Sequence, residues 1–340
     1  MSIGDRVTGR RRTLAEVAAL AGTSVPTVSK VLRGGTDVSA RTRLDVMAAV
    51  ESLGYEGRSG RGADRAEPAL VDFVLSDVRG SWVNEALVGV EEAATAADHD
   101  VVLTIARRDG AWLQRLLRRR SAGIVIALLD PTTAQLELLR AARRRYVLID
   151  PMSRPPANAA SVGVTNWEGG RTAAEHLLGL GHRRFVALGG ERSHLYSQAR
   201  LDGFRTGLRA VPGAELLGEG SADWGREQAA VAAERLLRQH APTAIFCCSD
   251  LMAIGAYDAA RTLGLRVPQD VSVVGFDDIP EASWATPPLT TVRQPIGELG
   301  AAAVRMLLRM ASGTGTAVPR EELATRLVER SSTAAPAAAG

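Results

Sequence analysis

Two hydrophobic periods run along this 340-residue chain, and one gives way to the other near residue 69. Before that point apolar residues recur at helical spacing: Leu14, Val17, Ala18 and Ala21, then Val28, Val31 and Leu32, then Leu44, Met47, Val50 and Leu53. Thr13 followed by Glu16 reads as a capping box for the first helix, Gly22 as its stop, and Ser24 as the cap of the second. Pro26 falls in the first turn, where a missing amide costs nothing, and Ser39 and Gly54 bracket the third helix. Two short helices joined through a glycine turn predict a helix-turn-helix. Its second helix leaves Val25, Pro26, Thr27, Ser29 and Lys30 facing outward, small side chains suited to a major groove. Thr13 and Ser24, at the two helix starts, join them as candidate DNA contacts.

Beyond residue 69 short apolar runs alternate with helical stretches. The runs ALVDFVL, DVVLTIA, AGIVIALL and RYVLID predict strands, with helices over 81–97, 111–120 and 132–144. A second series begins at SVGVT and continues through RRFVALGG, TAIFCC and DVSVVGF, with helices over 167–180, 198–210, 224–239 and 250–263. A helix over 296–310 and the strand ATRLVER close it. Strands separated by helices imply parallel α/β layers, because parallel strands need crossovers. The fold class expected is an all-α helix-turn-helix domain plus an α/β core of two doubly wound lobes. The boundaries expected are 1–57 for the DNA-binding domain, 58–68 for a glycine-rich hinge, and 69–330 for a ligand-binding domain. Within the latter, the first lobe takes 69–161 and 293–320 and the second 162–292 and 321–330, with crossovers in PANAASVGV, PPLTTVRQP and near 320–323. The tail 331–340, SSTAAPAAAG, reads as disordered on composition.

The formal charge of +3 says little, but residues 1–61 hold ten basic against six acidic residues, with Arg10, Arg11 and Arg12 just ahead of the first helix. A basic leading edge suits phosphate contacts, and Arg58, Arg61 and Arg65 of the linker can follow the backbone. Of 41 basic residues, 40 are Arg and the single Lys is Lys30, on the outward helix where it can reach guanine O6 and N7. Cys247 and Cys248 are neighbours in an apolar strand, pointing to opposite faces, and suit neither a disulfide nor a shared metal. No signal pattern and no apolar run of spanning length occur, so a cytoplasmic, nucleoid-associated protein without membrane contact is expected.

Ligands of doubly wound sheets collect beyond the C-terminal ends of strands, and those of two-lobed proteins between the lobes. Asp77 and Trp82, Asp150, Ser249 and Asp250, and Asp277 and Asp278 follow strands here. Carboxylates and aromatic faces suit a neutral polyol such as a sugar. Other roles compete. Asp250 also reads as a helix cap, Asp278 as a support behind the ligand, Trp167 as packing, Trp284 as structural at the lobe hinge, and 115–120 as a solvated face. No phosphate loop, G-x-S-x-G elbow or zinc-spaced histidines occur, so no catalytic residue, cofactor or metal is assigned.

TLAEVAALAGTSVPTVSKVL with VSARTRLDVMAAVESLGY resembles the DNA-binding domain of the lactose-repressor (LacI/GalR) family of bacterial transcription regulators. NWEGGRTAAEHLLGLGHRR, ARLDGF, SDLMAIGAYDAARTLGLRVPQDVSVVGFDD and PPLTTVRQP resemble its periplasmic-binding-protein-like core. The linker lacks the leucine by which that family wedges a minor groove. The resemblance places Arg200 and Asp277 on effector-binding positions, with Asp150, Trp224, Ser249, His194, Tyr196 and Gln294 lining the pocket. It implies a dimeric repressor of carbohydrate-use genes that binds a pseudo-palindromic operator in double-stranded DNA and is released by a small sugar. No heptad tail for a tetramer follows. Three alternatives stand beside it: a regulator whose DNA binding a purine or sugar phosphate strengthens, a plain sugar-binding protein, and a sugar-modifying enzyme. Lys30→Ala should change the operator motif recovered by selection from random DNA, whereas Arg11→Ala should chiefly reduce the salt dependence. An unaltered motif would remove the case for Lys30.

Overall fold

The computed structural model describes residues 13–32, 38–53, 70–107, 110–312 and 319–337. The chain forms two compact units, Met1–Glu67 and Pro68–Gly340. In the first, helices α1 (Leu14–Leu20), α2 (Val25–Leu32) and α3 (Ala40–Leu53) enclose Val17, Ala18, Val28, Val31, Val46 and Ala49. The capping box forms: Glu16 N–H donates to Thr13 Oγ1 at 3.3 Å and Thr13 N–H to the Glu16 carboxylate at 2.6 Å. Gly22 turns the chain with a φ of +61°, a conformation that favours glycine. The third helix is rotated from the expected phase. Val46 and Ala49 are buried, while Leu44 (68%) and Met47 (51%) are exposed. Leu32 is exposed as well. A helix so rich in small residues carries a weak apolar stripe, and size alone misplaced its face.

The larger unit holds two six-stranded sheets. The first contains β1 (Leu70–Leu75), β2 (Asp100–Ile105), β3 (Gly123–Ala127), β4 (Tyr146–Ile149), β5 (Ala160–Val164) and β11 (Arg320–Leu323), in the order β11-β5-β4-β3-β1-β2, all parallel. Helices α4 (Ser81–Ala96), α5 (Ala111–Arg118), α6 (Thr133–Ala141) and α12 (Ile296–Ala311) belong to this lobe. The second sheet contains β6 (Arg184–Gly189), β7 (Glu215–Ser221), β8 (Ala244–Cys247), β9 (Ser272–Asp277), β10 (Thr290–Arg293) and β12 (Arg326–Val328), in the order β12-β10-β9-β8-β6-β7, with β12 antiparallel. Its helices are α7 (Asn166–Gly179), α8 (Leu195–Arg209), α9 (Arg226–His240), α10 (Asp250–Thr262) and the short α11 (Pro280–Trp284). Cys247 and Cys248 are buried and unpaired.

Several expectations are corrected. SVGVT is a strand of the first lobe, paired with β4, so the lobes exchange chain at Thr165, at Gln294–Pro295 and at Ala324–Thr325. TTVR within PPLTTVRQP is a strand of the second sheet, and REEL, taken for a crossover, is an edge strand of the first. ELLGEGS was not expected as a strand; an edge position lets β7 stay polar and glycine-rich. Trp284 is no packed hinge residue, being 73% exposed.

The tail is also ordered as far as residue 337. Val273 N–H donates to Ser332 O at 2.9 Å, Thr290 N–H to Ser332 Oγ at 2.8 Å, and Ala334 N–H to Ser272 Oγ at 3.1 Å. His182, buried, donates from Nε2 to Ala334 O at 2.9 Å. The small polar residues lay down no core, but they satisfy backbone and hydroxyl groups at the start of β9 and β10 that would otherwise be orphaned. Ending the chain after Arg330 should therefore cost about 3–4 kcal/mol, three to four hydrogen bonds at about 1 kcal/mol each, read as a lower urea midpoint. An unchanged midpoint would show the tail to be ornamental.

Candidate functional site

The larger unit's strands point their C-terminal ends at the cleft, and there the chain buries a cation. Arg200, on α8, is 3% exposed. Its Nη1 donates to Cys248 O at 2.7 Å and to Asp277 Oδ1 at 3.1 Å, and its Nε donates to Asn166 Oδ1 at 2.7 Å. Asp150, from the other lobe, lies 3.9 Å from Nη2 and accepts from Asn166 Nδ2 at 3.0 Å. The Phe276 ring stacks on the guanidinium, 3.8 Å from its carbon. Two helices must approach closely to allow this. A Cβ on Gly170 would stand 1.9 Å from Arg200 O, and one on Gly203 1.9 Å from Trp167 O, so only glycine lets α7 and α8 bring Asn166 to Arg200.

Two carboxylates share one guanidinium, and desolvation outweighs the attraction. Burial pushes Asp150 up to about 6, against the pull of Arg200 and the Asn166 amide. Asp277 is raised for the same first reason, opposed by Arg200 and Gln294. Gln294, on a crossover, donates from Nε2 to Asp277 Oδ1 at 2.6 Å, while its Oε1 is buried without a partner among the described residues.

An aromatic wall stands beside this group. Trp224 stacks on His194, ring centroids 6.1 Å apart, and lies 5.0 Å from Tyr196. Trp224 Nε1 can only donate, so His194 Nδ1, 3.1 Å away, is the acceptor and the ring proton sits on Nε2. The indole rests on Gly190, where a Cβ would stand 2.0 Å from it, which gives the Gly189-Gly190 pair its structural use. A cavity of about 420 Å³ opens beside Asp150 and Tyr196, walled by Trp167, Leu195, Arg320 and Glu322.

The structure thus gathers Asp150, His194, Tyr196, Arg200, Trp224, Asp277 and Gln294. Asn166 and Phe276, which sequence reasoning did not single out as site residues, complete the group; neither carries a local signal beyond its position at a strand or helix end. Ser249 caps α10, accepting from Met252 N–H at 3.2 Å, and Asp250 does not. Asp250 instead accepts from Ile279 N–H at 2.9 Å and from the Thr291 hydroxyl, tying β9 and β10 to the helix. Asp278 pairs with Arg293 and Arg330 behind the cleft. Asp77 and Trp82 stand apart. Asp77 is half-exposed on Arg79, and Trp82 packs on the first-lobe core.

In the smaller unit Val25, Pro26 and Lys30 are exposed on α2, with Thr27 and Ser29 half-buried. Ser24 caps the helix, accepting from Thr27 N–H at 3.3 Å, and Thr13 caps α1. Arg10, Arg11, Arg12, Arg58, Arg61 and Arg65 lie outside the described residues. Among the described residues no acidic, histidine or cysteine cluster could hold a metal ion, and no helix is long and apolar enough to cross a membrane.

A family described as bacterial regulatory proteins, lacI family, matches residues 13–57, and a periplasmic binding protein-like domain matches residues 174–333. The chain is 37% identical over 336 residues to the HTH-type transcriptional regulator MalR of Streptomyces coelicolor, covering 94% of this chain and 96% of that protein. It is 32% identical over 334 residues to the lactose operon repressor of Escherichia coli, covering 95% and 91%. Among solved structures, a complex of the transcriptional regulator CelR with cellobiose superposes with a TM-score of 0.72 at 32% identity, covering 95% of this chain and all of that one. The lac repressor dimer bound to operator and the anti-inducer ONPF gives 0.75 at 29% identity, covering 96% and 100%.

Because the Asp150 carboxyl holds its proton to about pH 6 when folded and to about 4 when unfolded, folding takes up a proton between those values. Its contribution to stability is greatest below about pH 4 and falls by about 3 kcal/mol as pH rises to 6 and beyond. Asp150→Asn should flatten this part of the profile, measured by urea unfolding at pH 4.5 and 7.5. A variant with the wild-type pH dependence would sink the assignment.

Proposed function

Since the chain belongs to the lacI family of bacterial regulatory proteins, we propose that it is a dimeric repressor of carbohydrate-use genes whose hold on a pseudo-palindromic operator is released by a small sugar. The observation that carries this reading is the buried Arg200 with carboxylates from both lobes beside an aromatic wall, in a chain that also bears a helix-turn-helix. Hydroxyl donors suit Asp150, Asp277 and the Gln294 carbonyl, hydroxyl lone pairs suit Arg200, and apolar sugar faces suit Trp224 and Tyr196. Two similar structures are a complex with cellobiose and a complex with operator and the anti-inducer ONPF, which agrees with a sugar-sized ligand. Ser24, Val25, Pro26, Thr27, Ser29 and Lys30 read the major groove, with Thr13 and Arg58 on the phosphates. Such a protein works in the cytoplasm, at the nucleoid, without catalysis or cofactor.

The response runs through the crossovers. Thr325 N–H donates to Thr165 Oγ1 at 3.0 Å, so two crossovers are tied together, and Gln294 carries the third directly onto Asp277. Ligand that draws Asp150 and Asp277 together therefore acts on the hinge. The coupling that weakens DNA binding must weaken ligand binding equally when DNA is present.

Thermal unfolding against sugars, sugar phosphates and purines tests the reading; a ligand at ~100 times its dissociation constant adds ~2.7 kcal/mol. A sugar that also releases operator supports it, and a purine that tightens DNA binding would replace it with co-repression. Arg200→Lys keeps the charge but loses the fork, and should leave operator affinity unchanged while weakening the ligand at least about tenfold. Normal release by ligand in that variant would exclude Arg200 as a contact.

A further inference from the structure

Two arginine trios meet at one end of the first lobe. Arg118, Arg119 and Arg120 end α5 just before β3, and Arg143, Arg144 and Arg145 follow α6 just before β4. Those strands are paired, and Ile124 N–H donates to Arg145 O at 3.0 Å, so the trios lie side by side. Both repeat one arrangement. The middle arginine turns inward to Asp72, which is wholly buried in β1: Arg119 pairs with Asp72 Oδ1, and Arg144 lies 3.5 Å from Oδ2. The flanking Arg118, Arg120, Arg143 and Arg145 are exposed. Among the described residues none of these four makes an ion pair.

Two of the six guanidinium groups thus share the Asp72 carboxylate, and the other four face outward. Burial, with the charge of Arg119, makes Arg144 easier to deprotonate than usual, against the opposing pull of Asp72. Arg118 also lies in the last turn of α5, where the carbonyl end of the helix favours a cation. Arg120, Arg143 and Arg145 lie beyond the helices and have no such support. Acidic residues at this end, Asp98 just before the far edge strand β2 and Asp100 at its start, bound the basic strip on that side.

The strip lies where the chain enters the lobe. Ala122 N–H donates to Leu70 O at 2.8 Å, so the first residue of β1 sits directly against the end of the first trio. The segment arriving there is the one that carries the DNA-binding helices. We propose that Arg118, Arg120, Arg143 and Arg145 form an auxiliary phosphate-binding face that the ligand-binding domain lays along the DNA backbone flanking the operator. The inference rests on the DNA-binding reading but assigns a surface outside the helix-turn-helix. Four exposed forks match a row of phosphates, and they contribute affinity without reading bases.

Salt titration of the full-length protein tests it. Each lost phosphate contact lowers the slope of log K against log salt by about 0.9. The quadruple substitution Arg118→Gln, Arg120→Gln, Arg143→Gln and Arg145→Gln should lower that slope by about 2 or more and weaken binding at least about tenfold at low salt. The selected operator motif and the unfolding midpoint should stay as in the wild type, and Lys at the same four positions should restore the slope. A quadruple Gln variant with the wild-type slope overturns the proposal, as does a loss that Lys fails to restore. A wild type that binds no DNA at all would instead fell the DNA-binding reading itself.

Discussion

Everything in the larger unit converges on the desolvated Arg200 guanidinium. A cation so buried is tolerated only because each of its faces is served: an amide oxygen, a main-chain carbonyl and a carboxylate in its plane, and the Phe276 ring against its π surface. Those partners come from α7, β8 and β9, so the ends of three elements are fixed by one side chain. The glycines that let α7 and α8 touch are a condition of this arrangement, and so is the Trp224 indole lying on Gly190.

The first lobe reaches this group through Asp150, which lies 3.9 Å from the Arg200 guanidinium and accepts a hydrogen bond from Asn166 of the second lobe at 3.0 Å. Leu195 N–H donates to Met152 O at 2.8 Å and the Ser81 hydroxyl donates to Glu281, so further hydrogen bonds join the two lobes. Each lobe keeps its own apolar core behind this junction, built on the buried Val, Ile, Leu and Phe of its central strands. Asp278, held by Arg293 and Arg330, and the Thr165–Thr325 pair fasten the crossovers.

The sequence made the small unit legible because its signals are local: caps, a turn glycine and short-range spacing. It failed there at Leu32 and at Leu44 and Met47, the latter two where side-chain size was a poor guide to the inward face of an alanine-rich helix. Arg200, Asp277 and the aromatic wall were found through resemblance and strand-end logic, since residues that meet from positions 150, 200 and 277 leave no contiguous mark. Asn166 and Phe276 stayed hidden for the same reason. Sheet membership is equally non-local. β5 reads as a strand on its own residues, but which lobe it completes is decided by pairing with β4. The tail misled by composition, because it binds through backbone and hydroxyls where an apolar count sees nothing.

The interleaving of the lobes also sets the order in which the molecule can be completed during synthesis. β11 and α12 close the first lobe but are made after nearly all of the second, and β12 closes the second only after β11. Neither lobe can finish while the other waits, so they mature together and late, through contacts between residues far apart in the chain. The three N-terminal helices need only their own neighbours and are complete hundreds of residues earlier. A nascent or truncated chain therefore acquires its grip before it acquires its ear.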